Sequence, residues 1–527
     1  MADSLQNPAV AGALESSNPD SGPPPKPKRN TFALACALLA CMSSVLLGYD
    51  TGVMSGAMIY IKRDLKISDV RVEILVGTIN VYSLVGSTIA GWTCDWVGRR
   101  YTIVIAGVIF LAGAFLMTFA TTYSFLMIGR FIAGIGVGFA LMIAPVYSAE
   151  ISPRSARGFI TSFTEVFINF GVLLGYVSNY FFAKLPTNLG WRFMMGVGAI
   201  PSVMLIVGGF IMPESPRWLV MQGRVGDARK VLDKTSESIQ ESQERLADIK
   251  EAAGIPQDNH DDVVEVPKRK TGGRGAWRQI FLHPTRAVLH ITIAGIGLCF
   301  FQQACGIDSV VMYSPKIFEK AGMKTDNDRL LATISVGVTK TICILVSTFW
   351  LDKIGRRALL LTSSGGFVCS TIGLAIGLTV IDRHPNEKIT WAIAFCFLCT
   401  LGSVGTFSMG MGPVAWVYSS EIFPLRLRAL GGAMAAGANR LSSGIILMTF
   451  LSLSKAITIG GAFFLFGGIA LLAFIFFFTL LPETRGRGLE EMEELFGTFF
   501  KWRSTAKELE ERKRKRLESE NKKNDLV

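Results

Sequence analysis

The sequence predicts an all-α membrane protein in which twelve transmembrane helices form two pseudo-symmetric six-helix halves. Half of the 527 residues are hydrophobic and only 18% are charged, a balance that soluble proteins of this length do not show. Apolar runs of the roughly 20 residues needed to cross a bilayer recur along the chain. Short charged motifs also repeat at matching places in the first and last six runs, which indicates an internal duplication.

The first half is predicted at residues 31–212, after a polar, proline-rich N-terminal tail (1–30) that we expect to be disordered. Its apolar runs lie near 33–61, 73–93, 101–120, 124–147, 159–182 and 190–212. A polar linker, 213–286, follows. Within it, apolar residues recur at helical spacing over 225–253, which predicts one or two short helices.

The second half is predicted at residues 287–481, and a charged C-terminal tail at 482–527. Its apolar runs lie near 287–314, 329–351, 358–381, 390–418, 430–454 and 460–481. The net charge of +12 is carried largely by loops and tails, so the positive-inside rule places both termini and the linker in the cytoplasm. The same distribution argues against nucleic-acid binding. The nine cysteines lie almost entirely in apolar runs, which indicates small buried side chains and no metal site.

The repeated motifs lie at corresponding helix ends of the two halves. Asp95-Trp-Val-Gly98-Arg99-Arg100 matches Asp352-Lys-Ile-Gly355-Arg356-Arg357. The predicted gate residues are Asp95, Arg99, Arg100, Glu150, Arg157, Glu214 and Arg217, and then Asp352, Arg356, Arg357, Glu421, Arg428 and Glu483. Ion pairs among them can close the cytoplasmic side, and breaking these pairs would let the halves rock apart. Positive charge facing lipid headgroups would explain the basic residues, but not the paired acids.

The first apolar run contains one acid, Asp50. A carboxylate at membrane depth normally faces a partner or a cavity and marks an ion or proton path, although Asp50 at a helix end could also lie in headgroup water. Asp50 lies about 25 Å along its helix, and Arg130 about 9 Å below the outer face of the fourth run. Both therefore fall in the outer half of the bilayer and can meet. Interfacial snorkelling is the alternative for Arg130.

These motifs resemble the sugar porter family of the major facilitator superfamily over roughly residues 31–490. The resemblance rests on the repeated Asp-x-x-Gly-Arg-Arg, on Pro213-Glu-Ser-Pro-Arg217 and Pro482-Glu-Thr, and on Gln302-Gln303-Ala-Cys-Gly306-Ile307-Asp308. Residues 48–57 and 162–169 look like those of plant polyol/monosaccharide transporters. The resemblance implies the major facilitator fold and proton-coupled uptake of linear polyols, cyclitols or monosaccharides, with the proton as co-substrate and no cofactor. In proton-coupled relatives the Asp matching Asp50 accepts the proton and the Arg matching Arg130 is its partner, so Asp50 favours symport over uniport.

The resemblance also implies a substrate site, which this chain fills with unusual charges. Gln302, Gln303, Tyr313, Trp416 and Asn439 match family positions that bind sugar. Glu165 stands where sugar porters typically have Gln, Asp308 where Asn is usual, and Lys340 where many relatives have Asn; Arg440 adds a further charge. Such charges should face the cavity and compensate one another. Structural ion pairing and substrate binding both remain open as their role.

Other functions find less support in the sequence. A facilitative uniporter is the nearest alternative, and a sugar-sensing receptor on the same fold is disfavoured by the 45 residues after Pro482, a short tail. The four histidines are scattered, and no nucleophile–base constellation is recognisable, so an enzyme is not expected. The plasma membrane is the expected location, with the vacuolar membrane as the alternative. No obligate oligomer is indicated.

Overall fold

The polypeptide is described here by a computed structural model in which every defined element is a helix. The structure describes residues 31–152, 157–256, 261–264, 280, 284–384, 389–424, 427–484, 495–496, 502, 504–505 and 508. The predicted disorder of residues 1–30 falls outside these ranges.

The first half consists of eight helices that make six crossings. The first crossing is formed by α1 (Thr31–Cys41) and α2 (Ser43–Leu65), which are separated only by Met42. The next four are α3 (Asp69–Val97), α4 (Arg99–Thr118), α5 (Tyr123–Ile151) and α6 (Arg157–Phe182). The sixth is formed by α7 (Thr187–Gly196) and α8 (Ala199–Ile211). Ser68 and Thr122 cap α3 and α5 by accepting a hydrogen bond from a first-turn N–H.

The described part of the linker contains three short helices. These are α9 (Pro216–Met221), α10 (Val225–Thr235) and α11 (Ile239–Ala253). Their apolar faces form a small separate core that includes Leu219, Val225 and Leu246. The predicted one or two helices at 225–253 are therefore two.

The second half repeats the pattern. Its first crossing is formed by α12 (Arg286–Ala304) and α13 (Ile307–Met312), followed by the short α14 (Ser314–Lys320). The remaining crossings are α15 (Asp326–Ile354), α16 (Arg356–Arg383), α17 (Thr390–Met409) with α18 (Met411–Ile422), α19 (Arg428–Ile457) and α20 (Ile459–Leu480).

The predicted fold class is confirmed. Within the described ranges, eleven segments are long and apolar enough to cross a membrane, and α6, with 26 residues, supplies the remaining crossing. The chain enters the first crossing at Thr31 and leaves the last at Leu480 on the same side, because the number of crossings is even. We call this side the terminal side; the linker also lies there.

Part of the C-terminal tail packs against the second half. Leu495, Phe496 and Trp502 are buried in its core. The Trp502 indole donates to the carbonyl oxygen of Thr479 at 2.8 Å. These aromatic and aliphatic side chains bury apolar surface, which stabilises the attachment of this part of the tail to the second half.

Candidate functional site

A buried ion pair lies in the first half. Arg130 Nη1 contacts both carboxylate oxygens of Asp50, at 2.6 and 2.8 Å, and both side chains are excluded from solvent. Arg130 Nε also donates to the carbonyl oxygen of Leu75 at 3.1 Å. These bonds fix the guanidinium between α2 and α3, so the contact expected from helix depth is present. Its role in proton coupling remains a prediction.

Glycines bring the backbone around Asp50 unusually close to α6. A Cβ added to Gly52 would lie 2.2 Å from the carbonyl oxygen of Val172, and one added to Gly175 would lie 2.4 Å from the Val53 nitrogen. Only glycine permits this approach, as in other tightly packed membrane helices. Any movement of α2 that follows a change at Asp50 is therefore passed directly to α6.

A polar cavity of about 90 Å³ lies between the two halves. Helices of both halves contribute to its wall. Its lining includes Thr51, Asn80, Glu165, Asn169, Gln302, Gln303, Asp308, Lys340, Ser408, Trp416 and Arg440, together with aliphatic residues such as Ile168 and Leu447. Seven of the substrate-site residues predicted from the sequence, counting Arg440, are thus brought to one cavity.

Gln302 is held in place by the protein itself. Its Nε2 donates to the carbonyl oxygens of Met411 and Gly412, both at 2.9 Å, at the break between α17 and α18. Its Oε1 accepts from Asn439 Nδ2 at 2.7 Å. Asn439 is fully buried behind the cavity wall, so in this conformation it positions Gln302 and does not face a ligand.

Unlike Gln302, three polar groups in the cavity wall have no hydrogen-bond partner among the described residues. Gln303 Oε1, Asn169 Oδ1 and Ser408 Oγ are buried and form no hydrogen bond with any of the described residues. Leaving a buried acceptor unpaired costs about 1–3 kcal/mol, so the cavity favours a ligand that donates hydrogen bonds. Hydroxyl groups meet that need.

Four charged side chains also face the cavity. Glu165 and Asp308 lie within electrostatic range of both Lys340 and Arg440. Among the described residues, Lys340 makes no direct ion pair with either acid. The opposite charges therefore compensate one another across cavity space, where a ligand can reach them.

Tyr313 lies outside the cavity wall. Its side chain is fully buried, its hydroxyl donates to the carbonyl oxygen of Leu447 at 2.9 Å, and its ring stacks on Phe450 at 4.9 Å. In this conformation Tyr313 has a packing contact where the resemblance implied a substrate contact.

On the terminal side, the repeated motif of the first half forms one network. The positive φ of Gly98, 103°, makes the turn from α3 into α4, and Glu214 accepts hydrogen bonds from the first N–H groups of α4, at Arg99 and Arg100. A carboxylate at a helix N-terminus also interacts favourably with the helix dipole. The Arg99 side chain binds Glu150 at 2.9 Å. Burial raises the pKa of Glu214, and these backbone donors partly offset that rise.

The second half repeats this network contact for contact. Gly355 has a φ of 104°, and Glu483 accepts from the N–H groups of Arg356 and Arg357, both at 3.0 Å. Arg356 Nη2 binds Glu421 at 2.9 Å. These ion pairs join helix ends within one half, so they fasten each half as a unit.

The other predicted gate residues contribute differently. Asp95 is largely exposed and lies 3.5 Å from Arg99. Arg217 is exposed, and Arg428 donates to the carbonyl oxygen of Phe423 at 3.4 Å. The side chains of Arg157 and Asp352 lie outside the part of the chain whose side chains the structure describes.

On the side opposite the termini, ion pairs join the two halves. Asp69 of the first half contacts Lys62 of its own half at 2.5 Å, and Lys455 and Lys316 of the second half at 2.6 and 3.5 Å. Burial lowers the pKa of Lys316, and the neighbouring Asp69 raises it in part. This Asp69 cluster draws α14 and the end of α19 onto α3.

Two further contacts reinforce this closure. Arg63 binds Asp326 at 2.7 Å, and Glu73 accepts from both the N–H and the hydroxyl of Ser452, each at 2.6 Å. Sequence analysis missed these residues, because the pairing of polar and charged residues near the helix ends of different halves depends on tertiary structure.

The helices that meet between the halves diverge toward the terminal side. A Cβ added to Gly77 of α3 would lie 2.5 Å from Met448 Cγ and 2.9 Å from the carbonyl oxygen of Gly444, both in α19. Farther along, a Cβ on Gly91 would meet only Met142 of its own half, and one on Gly432 would meet none of the described atoms within 4 Å. Within the part of the chain that the structure describes, the halves are therefore in contact on the opposite side and parted toward the terminal side.

Within the described residues, no group of His, Cys, Asp and Glu side chains could hold a metal ion. The polar part of the cavity wall contains amide, hydroxyl and oppositely charged groups, with Trp416 beside them. Such a wall suits a neutral ligand with many hydroxyl groups.

Comparison with known proteins gives consistent matches. A family model described as "Sugar (and other) transporter" matches residues 36–496. Putative polyol transporter 2 of Arabidopsis thaliana is 61% identical over 476 residues, covering 90% of this chain and 93% of the relative. Polyol transporter 5 of the same plant is 61% identical over 488 residues, covering 92% and 90%. A structure of the E. coli proton:xylose symporter XylE with 6-bromo-6-deoxy-D-glucose has a TM-score of 0.71 and 28% identity, covering 89% of this chain and 100% of that one.

Proposed function

The chain belongs to the sugar transporter family of the major facilitator superfamily, and we propose that it is a proton-coupled symporter of linear polyols, cyclitols or monosaccharides. The observation that carries this proposal is the buried Asp50–Arg130 pair beside a cavity with unpaired acceptor groups. Among possible substrates the names of the relatives favour polyols. Transport leaves the substrate chemically unchanged.

The proton acts at Asp50. As a carboxylate, Asp50 neutralises Arg130 in a site without solvent, where an unpaired charge would be costly. A proton on Asp50 removes that neutralisation and weakens the pair, which changes the relative stability of the two conformations of the carrier. The close contact of α2 with α6 passes this change to the cavity wall.

The substrate binds among the polar groups of the cavity. Its hydroxyls donate to Gln303 Oε1 and Asn169 Oδ1, and accept from Lys340 and Arg440. Trp416 offers an aromatic face to the C–H side of the ligand. A flexible polyol can place several hydroxyls against donors and acceptors of both charges, so the charged wall needs no charged substrate.

The terminal side is the cytoplasmic side in this proposal, because the basic loops and tails lie there. The conformation is then inward-facing, with the Asp69 cluster holding the outside closed. The ion pairs within each half keep its helix ends together while the halves rock about the cavity. The plasma membrane is the proposed location, and a single chain suffices for transport.

Uptake by transporter-deficient yeast tests this function. Cells expressing the chain are given labelled sorbitol, mannitol, inositol, xylitol or glucose, each with and without a protonophore. We expect at least one polyol to accumulate above its outside concentration and the medium to become alkaline, with the protonophore abolishing accumulation. Uptake that only equilibrates, with no pH change, would instead indicate a facilitative uniporter.

A further inference from the structure

A relay of hydrogen bonds crosses from one half to the other at the cavity wall. Arg440 Nη1 donates to Asn80 Oδ1 at 3.5 Å, and Asn80 Nδ2 donates to Ser443 Oγ at 3.1 Å. The Ser443 hydroxyl in turn donates a hydrogen bond to Asp308. Each group donates a hydrogen bond to the next one. The donors therefore all point the same way, from the Arg440 guanidinium to the Asp308 carboxylate. Asn80 belongs to the first half, and the other three residues belong to the second.

The relay forms hydrogen bonds to two groups, Arg440 and Asp308, that a substrate in the cavity can also bind. Arg440, Asp308 and Asn80 line the cavity, whereas Ser443 is fully buried beside it. The Ser443 hydroxyl has one proton, which is committed to Asp308. A ligand hydroxyl that binds Asp308 Oδ2 shares this oxygen with Ser443, and a ligand that accepts from Arg440 Nη1 shares this nitrogen with Asn80, so each of these contacts with the ligand is weakened.

The relay lies at the contact between α3 and α19. Asn80 lies one turn from Gly77, where α3 touches Gly444 of α19, and Ser443 is the neighbour of Gly444. If α3 and α19 part at this contact, Asn80 and Ser443 separate with them. Arg440 and Asp308 are then released to face the cavity.

We propose that this relay makes substrate affinity lower when the cavity opens to the terminal side than when it opens to the opposite side. Asn80 and Ser443 are positioning residues: they withdraw Asp308 and Arg440 from the ligand as the opposite side closes, and so promote release on the terminal side. This inference rests on the proposed function. It concerns the difference in affinity between the two sides and not the identity of the driving ion.

Adjacent serines provide a matched test. Ser443→Ala removes the relay, whereas Ser442→Ala removes a hydroxyl that donates at 2.7 Å to Ala438 of its own helix. The KM for sorbitol, or for the best polyol of the uptake panel, is measured in right-side-out and in inside-out membrane vesicles. Removing one competing hydrogen bond should raise the ratio of the right-side-out KM to the inside-out KM about three- to tenfold. Ser442→Ala and Ser443→Thr, which keep the relay hydroxyl, should leave the ratio at the wild-type value.

A second variant covers the case in which Ser443→Ala does not reach the membrane. Asn80→Ala breaks the relay from the other half and should change the ratio in the same direction. Ratios equal to wild type for Ser443→Ala, or for Asn80→Ala in its place, would overturn the relay while leaving polyol transport intact. A wild type that takes up no polyol into either kind of vesicle would instead overturn the proposed function, and with it the ligand for which the relay competes.

Discussion

At the scale of single residues, Asp50 gives the most direct test, because its carboxylate pairs with one buried arginine, Arg130. Asp50→Asn keeps the size and can still accept a hydrogen bond from Arg130, but it cannot take up a proton. We expect it to abolish accumulation of substrate against a gradient and to spare exchange between two filled sides. Labelled-substrate accumulation and counterflow measure the two. Asp227→Asn, on the exposed linker helix, is the control; accumulation by Asp50→Asn equal to that of the control would contradict the assignment.

Lys340 presents a different test, because it faces two acids across the cavity. Lys340→Ala leaves Arg440 as the one cavity cation facing both Asp308 and Glu165, so one buried negative charge is no longer compensated. It should therefore reduce uptake more than the double variant Lys340→Ala/Asp308→Asn does. A double-mutant cycle should give a coupling of about 1 kcal/mol or more. Additive effects with both Asp308 and Glu165 would show that the lysine acts elsewhere.

Part of the site could be predicted from single residues, and part could not. An acid and an arginine inside apolar runs are conspicuous, and helix rise alone places Asp50 and Arg130 at similar depth. Asn80 and Ser443 give no such signal, because neutral polar residues in membrane helices serve mostly in packing. Their partnership depends on how α3 and α19 cross, which no local pattern specifies.

At the scale of elements, the two glycine turns show why the charged motif repeats. Gly98 and Gly355 have nearly the same φ, 103° and 104°. Each places the arginine N–H at the start of the next helix within hydrogen-bond distance of a glutamate. The twelve crossings were predictable because their apolar runs are long. The breaks inside crossings, at Cys305-Gly306 and Gly410, were not, because an isolated glycine is tolerated within a membrane helix.

Replacing these turn glycines by alanine gives a graded prediction. A Cβ on Gly98 would lie 2.4 Å from Glu214 Oε2, against 3.0 Å from Glu483 Oε2 for Gly355, in addition to the backbone strain common to both. We expect Gly98→Ala to lower the Tm more than Gly355→Ala, each costing about 1–3 kcal/mol. Gly432→Ala, in open space on a helix, should leave the Tm unchanged or raise it. Thermal unfolding of the purified protein measures this order, and an equal Tm for all three would refute the steric argument.

At the scale of the whole molecule, closure of one side depends on few contacts between the halves. The Asp69 cluster gathers lysines from α2, α14 and α19 around one carboxylate. On the terminal side, the described ion pairs of the repeated motifs lie within one half. The carrier is therefore held in its present conformation from the side opposite its termini.

Asp69→Asn should shift the molecule toward the conformation open on that side. Losing two partly exposed attractions between the halves is worth roughly 1 kcal/mol in total, a population change of about fivefold. Spin labels are attached at Lys66→Cys in the first half and Lys324→Cys in the second, after accessible native cysteines are replaced. The distance between the two labels reports the separation of the halves on that side. Asp64→Asn is the matched control, because Asp64 bonds Trp191 and Arg192 of its own half. Identical distance distributions in the two variants would contradict the closing role.

The buried ion pair of the first half and the charges of the cavity wall also have an electrical consequence. Asp50, Glu165 and Asp308 carry three formal negative charges, and Arg130, Lys340 and Arg440 carry three positive ones, so this set is neutral when Asp50 is ionised. A proton on Asp50 leaves the same set with one net positive charge. Moving one charge through the full membrane potential is worth about 2.3 kcal/mol per 100 mV. With Asp50 as the proposed proton site, we expect voltage to drive the reorientation of the loaded carrier, whereas the empty carrier returns without working against the field.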